Sequence, residues 1–127
     1  MGKLNKIVCF DFDNTLCMQA GDPNHEMIEK VKQYHEQGYR CYIVTARNKA
    51  HEATRWIQNN EPNRIRVKDF IKDHQLPIKQ CHFLNHQPKG PVLKRIGAFK
   101  HYDDELEQIE SAKEYGIQAI LVCANKL

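Results

Sequence analysis

Short apolar runs recur along the chain, and each leads into polar or charged residues. The run at 6–10 shows no polar alternation, which predicts a strand buried on both faces, as in a parallel sheet. The run at 41–44 predicts a second strand of the same kind. Further strands are predicted at 81–84, 99–102 and 119–123.

Between these runs, apolar residues recur at helical spacing. Met27, Ile28, Val31 and Tyr34 predict a helix that stops at Gly38. Further helices are predicted over residues 48–59, 67–74, 92–96 and 106–115. The alternation predicts an α/β protein with a three-layer, Rossmann-like fold, in which about five parallel strands carry helices on both faces.

Length and composition favour a single domain over 1–127, since domains of about 100–150 residues are the commonest size. No apolar run approaches the roughly 18 residues of a membrane-spanning helix, and no secretory signal is recognisable, so no membrane partner is expected. The five cysteines form no regularly spaced set, and three lie in apolar runs. Their placement predicts a reducing compartment and a cytoplasmic location.

The charge balance is mildly basic and does not distinguish between classes of binding partner. Nineteen Lys and Arg against sixteen Asp and Glu give a net charge of +3, which permits a nucleic-acid partner without arguing for one. We interpret the basic side chains between 55 and 68 as a solvated face in preference to a polyanion-binding rim: Arg55, Arg64, Arg66 and Lys68. Trp56 is interpreted as part of a helix face that packs on the sheet. Zinc is disfavoured, because Cys81, His82 and His86 match no complete four-ligand spacing.

The candidate chemistry follows three of the predicted strands. Polar residues stand at 11–15, at 45–47 and at 103–105. In open α/β sheets, ligands bind outside the carboxyl ends of the strands, so we expect these side chains to converge. Converging carboxylates repel one another, and a hard divalent cation such as Mg²⁺ with oxygen ligands relieves the conflict.

The residue types suit phosphoryl transfer. A carboxylate such as Asp11 can act as a nucleophile on phosphorus, and a second carboxyl such as Asp13 can protonate the leaving oxygen and later activate water. The hydroxyl of Thr45 can donate to a phosphoryl oxygen, and a lysine can neutralise the developing charge.

This set resembles the haloacid dehalogenase superfamily of phosphohydrolases. The first motif reads Asp-Phe-Asp-Asn-Thr-Leu at 11–16, the second Val-Thr-Ala-Arg at 44–47 and the fourth Tyr-Asp-Asp-Glu at 102–105. The third motif is a lysine upstream of the paired aspartates, for which Lys89 is the first choice and Lys94 and Lys79 are alternatives. The resemblance runs from about residue 6 to residue 123, with the motifs in the family's order.

The resemblance implies a role for each matching residue. Asp11 would be the nucleophile and a Mg²⁺ ligand, and Asp13 would be the general acid/base and lend its backbone carbonyl to the metal. Asp104 would bind the metal directly, with Asp103 as its partner, in an order that remains open. The substrate phosphoryl group would be held by Thr45, Ala46, Arg47 and Lys89. The family's usual strand order, 5-4-1-2-3, would place the Asp11 strand beside the Asp103 strand.

The resemblance also implies an open site, because no insertion of the size of a cap domain is recognisable. The leading hypothesis is a phosphomonoester hydrolase acting on a nucleic-acid end, a phosphoprotein or a small metabolite. A receiver-type signalling module is disfavoured, since its acceptor aspartate follows a middle strand and its lysine comes last. A non-catalytic phosphate-binding module is the third hypothesis. Oligomeric state is left open.

Overall fold

The computed structural model describes residues 6–18, 21–53 and 65–123. The strands are β1 (Ile7–Phe10), β2 (Arg40–Thr45), β3 (Ile78–Phe83), β4 (Ala98–Asp103) and β5 (Gln118–Leu121). The α-helices are α1 (His25–Glu36), α2 (Val67–Asp73), α3 (Gly90–Ile96) and α4 (Leu106–Glu114), and Lys49–Ala53 form a short 3₁₀ helix. No helix in this part of the chain has both the length and the apolar character needed to span a membrane.

The five strands form one parallel sheet in the order β3-β2-β1-β4-β5. This is the predicted order 5-4-1-2-3 written from the other edge, and the predicted α/β class is confirmed. β1 lies at the centre, where all four of its residues are buried. Phe10 of β1 pairs with Tyr102 of β4, and the N–H of Asp11 donates to the carbonyl of Tyr102 over 2.9 Å. The pairing therefore brings the end of β1 beside the end of β4.

The core has one cluster on each face of the sheet, which is the predicted three-layer arrangement. Val8 and Phe10 of β1 face the cluster formed with α1 and α2, and Cys9 faces the cluster formed with Leu93 of α3 and Ala112 of α4. Fully burying one large apolar side chain contributes about 1.5–3 kcal/mol, so these faces hold β1 in place.

Asn24 ties the first helix to the loop after β1. Its Oδ1 accepts the N–H of Met27 over 3.4 Å, which caps α1, and its Nδ2 donates to the carbonyl of Thr15 over 2.9 Å. Helix α1 ends at Glu36, close to the predicted stop, and Gly38 adopts a φ of 96° in the following turn.

Element bounds differ from the predictions mainly at the sheet edges. β3 begins at Ile78, before the apolar run at 81–84, because the exposed Lys79 and Gln80 lie on an edge strand. β5 ends at Leu121, short of the predicted end. Of the helix predicted over 48–59, the described part is the 3₁₀ turn Lys49–Ala53. The positions of three residues considered above lie outside the described residues: Arg55, Trp56 and Arg64.

Candidate active site

Asp11 is held at the end of β1 by a tight turn. The backbone N–H groups of Thr15, Leu16 and Cys17 all donate to the carbonyl of Phe12, at 3.2, 3.0 and 3.0 Å. This turn brings the Thr15 hydroxyl to Asp11, where it donates to Oδ2 over 3.1 Å. Asp11 is only 6% exposed, so a hydrogen bond fixes a carboxylate that water scarcely reaches.

The same turn has an uncommon backbone conformation. Asn14 has a φ of 65°, in the left-handed region that non-glycine residues rarely adopt, and asparagine tolerates it best. Its N–H donates to the carbonyl of Cys17 over 2.7 Å, which closes the turn. The turn leaves Asp13 pointing outward, with half of its side chain exposed.

Lys89 forms the centre of the candidate site. It is 1% exposed, and its Nζ lies 2.7 Å from Oδ1 of Asp11 and 2.7 Å from Oδ2 of Asp103. Its backbone N–H donates to Oε1 of Gln108 over 3.0 Å, which anchors the start of α3 against α4. The alternative lysines, Lys94 and Lys79, are both exposed.

Three carboxylates gather around this ammonium group. Asp11, Asp103 and Asp104 each place a carboxylate oxygen within 4.8 Å of the others. Burial, followed by a hydrogen bond and charge repulsion from Asp11, raises the pKa of Asp104 to about 8. Burial also raises the pKa of Asp11, against the opposing charge of Lys89.

The pKa of Asp103 shifts in the opposite direction. Burial alone would raise its pKa, but the hydrogen bond from His101 and the charge of Lys89 outweigh burial and lower the pKa. Its Oδ2 accepts from both Lys89 and His101, and its Oδ1 accepts the N–H of Glu105 over 3.1 Å. Asp103 is therefore a fixed anion that positions Lys89, whereas the raised pKa of Asp104 keeps that carboxyl mostly protonated at neutral pH.

Arg47 and Asp13 form a pair at the rim of the site. Nε of Arg47 donates to Oδ2 of Asp13 over 2.8 Å, and Nη2 donates to Oδ1 over 2.9 Å. Nη1 donates to the carbonyl of Ile65 over 2.6 Å, and the guanidinium lies 4.8 Å from the centre of the Phe12 ring. Three of the five N–H groups of Arg47 are therefore used within the chain.

Thr45 and Ala46 lie at the end of β2, beside the loop that leads to Lys89. The buried Thr45 hydroxyl accepts the N–H of Arg47 over 3.2 Å. The carbonyls of Thr45, Ala46 and Arg47 accept the N–H groups of Leu84, His86 and Asn85, at 2.9, 2.7 and 3.1 Å. The β2 end and the Lys89 loop are therefore joined as one unit.

His101 lies at the candidate site although no motif of the sequence includes it. This residue is fully buried, and its Nε2 lies 2.8 Å from Oδ2 of Asp103. Its Nδ1 has no hydrogen-bond partner within the described residues. The available signal was a histidine two positions before an acidic pair at the end of a predicted strand, because alternate strand residues share a face.

The donor set fits a hard divalent cation. Three carboxyl groups share one ammonium group, so all three can be ionised together only when a further positive charge is present. Mg²⁺ prefers oxygen ligands of this kind. Among residues 6–18, 21–53 and 65–123, this acidic group is the one cluster with metal-ligand geometry, and Cys81, His82 and His86 do not form another.

The comparison with solved structures agrees with this architecture. A chain of the Pnkp1/Rnl/Hen1 RNA repair complex matches with a TM-score of 0.72 and 15% identity, over 94% of this chain and 42% of that one. A HAD family enzyme from Bacteroides thetaiotaomicron, in complex with magnesium and inorganic phosphate, matches with a TM-score of 0.60 and 13% identity, over 97% and 96%. The chain has a haloacid dehalogenase-like fold.

A further solved structure also resembles this chain. The core domain of a Streptococcus pneumoniae protein proposed as a phosphoglycolate phosphatase matches with a TM-score of 0.51 and 14% identity, over 94% of this chain and 80% of that one. No family model matches the sequence. At these identities the likeness establishes the haloacid dehalogenase-like fold alone, and the chain spans less than half of the RNA repair chains that it matches.

Proposed function

We propose that this chain is a Mg²⁺-dependent phosphomonoester hydrolase that works through an aspartyl phosphate on Asp11. The observation that carries the proposal is the Lys89 ammonium group held between Asp11 and Asp103, with Asp104 in the same acidic group. The fold supports it, since a solved protein of the same fold is a HAD family enzyme in complex with magnesium and inorganic phosphate.

Asp11 is the nucleophile in this proposal. Lys89 donates to Oδ1 and Thr15 donates to Oδ2, so both oxygens have a fixed direction before the substrate arrives. One oxygen forms a bond to phosphorus as the bond from phosphorus to the leaving oxygen breaks. Water then attacks the phosphorus of the aspartyl phosphate, which releases inorganic phosphate and restores the carboxylate.

Asp11 and Asp104, with the backbone carbonyl of Asp13, would hold the Mg²⁺ ion. When bound, the ion neutralises charge on the phosphoryl oxygens and on the carboxylates around it. Asp103 stays hydrogen-bonded to Lys89 and His101, which suits a positioning role more than direct ligation. We therefore assign direct ligation to Asp104, as the resemblance implies.

Asp13 is the general acid and base in this proposal. It must protonate the leaving oxygen and later take a proton from water. Arg47 holds both of its oxygens in the structure, so the carboxyl has to turn from the guanidinium when a substrate enters. Half of the Asp13 side chain is exposed, which leaves room for that rotation.

The phosphoryl oxygens would be bound at the ends of β2 and α3. The Thr45 hydroxyl accepts from Arg47, which leaves its own proton for a phosphoryl oxygen. Lys89 supplies positive charge, and Ala46 with the remaining donors of Arg47 complete the binding group.

Within the described ranges, no inserted domain follows the Asp11 turn, so we also propose a single uncapped domain. From the cysteine pattern we propose a cytoplasmic location.

The test is hydrolysis of p-nitrophenyl phosphate with Mg²⁺ and with EDTA. Wild type should turn over only with Mg²⁺, and Asp11→Asn should lose turnover while keeping its circular dichroism spectrum. Asp73→Asn, at the exposed end of α2, is the matched control and should behave as wild type. Comparable turnover by Asp11→Asn would overturn the nucleophile assignment.

A further inference from the structure

Three lysines follow one another along the α1 side of β4. We call Lys6, Lys100 and Lys30 the lysine strip. The Lys6 Nζ lies 4.4 Å from the centre of the Phe99 ring, and the Lys100 Nζ lies 5.5 Å from the same ring. Lys100 also donates to the hydroxyl of Tyr34 over 2.9 Å. The strip thus begins beside the amino end of β1 and continues along β4.

The strip then reaches the carboxyl end of the sheet. The hydroxyls of Tyr34 and Tyr102 lie 2.7 Å apart, and the Lys30 Nζ lies 5.9 Å from the centre of the Tyr102 ring. Tyr102 directly precedes Asp103 in β4. The line of cations and rings therefore ends next to the candidate active site.

The ammonium groups of the strip form no ion pair with a described residue. In the described part of the chain, no carboxylate oxygen lies within 4.0 Å of the ammonium groups of Lys6, Lys30 or Lys100. Unpaired ammonium groups placed in a row raise the local potential and attract a ligand with several negative charges. A ligand with one phosphate would use only one of the three.

A pocket of about 660 Å³ opens where the strip ends. Its walls include Met18, Met27 and Tyr102, which offer flat or adaptable apolar contacts, together with Lys30 and Asn24. This volume falls in the range of small-molecule sites, about 300–1,000 Å³. The pocket has room for a nucleoside.

The pocket is joined to the candidate site by short contacts. Asn24 donates to the carbonyl of Thr15 over 2.9 Å, and Thr15 donates to the carboxylate of Asp11 over 3.1 Å. On the other wall, the N–H of Val122 donates to the carbonyl of Asp103 over 2.7 Å. The walls of the pocket are therefore two hydrogen bonds from the carboxylate of Asp11 and one from the backbone of Asp103.

We propose that the strip and the pocket together bind the phosphorylated end of a single-stranded nucleic acid. The terminal nucleoside occupies the pocket, the terminal phosphate reaches Asp11, and the preceding phosphates lie along Lys30, Lys100 and Lys6. This inference rests on the proposed function for the reaction of that phosphate. Repeated phosphates match a row of cations, and flat bases match the rings and thioethers, whereas a phosphopeptide offers one phosphate and no regular repeat.

The test is equilibrium binding of a fluorescein-labelled, phosphate-ended single strand of about a dozen nucleotides, followed by anisotropy in EDTA so that nothing is hydrolysed. The Lys30→Gln/Lys100→Gln variant is compared with Lys72→Gln/Lys113→Gln, which removes two exposed lysines from α2 and α4. The strip variant should lose about tenfold in affinity, with the slope of log affinity against log salt reduced by about 1.4, since each cation contributes about 0.7 on single strands.

Equal affinities for the two double variants, both with wild-type circular dichroism, would overturn the inference. Tighter binding of a labelled phosphoserine peptide of the same length would also overturn it. Failure of the proposed function gives a different pattern. In that case p-nitrophenyl phosphate is not hydrolysed with Mg²⁺, while the strip variant still loses affinity for the oligonucleotide.

Discussion

Replacement of Lys89 by methionine tests how much the ammonium group of Lys89 stabilises the folded chain. The change removes an ammonium group that makes 2.7 Å contacts with Asp11 and Asp103 and is 1% exposed. Removing one partner from a buried ion pair costs about 3–5 kcal/mol, because the remaining charge stays desolvated. The carboxyls here can take up a proton, so we expect the lower end, about 3 kcal/mol.

That loss should be visible by thermal denaturation. For a chain of this size, about 3 kcal/mol corresponds to a Tm lower by about 10 °C in EDTA at neutral pH. The loss should grow as pH rises from about 5 to about 8. The charge of Lys89 lowers the pKa values of Asp11 and Asp103, so both pKa values are higher in the variant. The folded variant then binds more protons than the folded wild type, and its stability falls more steeply as pH rises.

Lys94→Met is the matched control. Lys94 lies on α3, five residues further along the chain, with an exposed side chain. Its Tm should stay within about 2 °C of wild type, since surface substitutions usually change stability by less than about 0.5 kcal/mol. If Lys89→Met and Lys94→Met have the same Tm in EDTA at every pH, Lys89 does not hold the acidic group together.

Three further predictions concern the metal, the buried histidine and the helix pair. Metal-free Asp104, with its pKa raised to about 8, must lose its proton to bind Mg²⁺, so calorimetry in two buffers of unlike ionisation enthalpy should show release of close to one proton per site at neutral pH; a pH-independent affinity would contradict this. Because burial lowers the pKa of His101 from 6.5, the folded chain binds fewer protons there than the unfolded chain, and wild type should lose stability as pH falls below about 6.5. The urea midpoint of His101→Gln should fall less over the same pH range. The same fall in both proteins would show that His101 does not cause the loss. In Gly90→Ala, the new Cβ would lie 2.6 Å from Oγ of Ser111 and from the Tyr115 ring, so we expect a cost of about 1–3 kcal/mol by urea denaturation, and an unchanged midpoint would show that α3 and α4 can move apart.

The edge of the sheet where the candidate site lies could be predicted from the sequence. Asp11 follows the apolar strand β1, Asp103 ends β4, and the pairing of β1 with β4 brings them together. This could be predicted because buried parallel strands read as continuous apolar runs and their carboxyl ends share one edge. The polar edge strand β3 was placed less well, since only part of it is buried.

The partners of each site residue could not be predicted in the same way. Lys89, Lys94 and Lys79 look alike in the sequence, and only the loop joined to the end of β2 distinguishes the buried one. The pairing of Arg47 with Asp13 likewise depends on side-chain directions across two strand ends. Such contacts join residues distant in the chain, and no local pattern encodes them.

The proposed function requires that Asp11 accept the phosphoryl group. The most direct measurement is mass spectrometry of Asp13→Asn protein mixed with p-nitrophenyl phosphate and Mg²⁺ and quenched in acid, since loss of the general base should slow breakdown of the intermediate. We expect a mass increase of one phosphoryl group, located by peptide mapping at Asp11 and absent from Asp11→Asn. Hydrolysis by wild type with the phosphoryl group found on another residue would contradict it.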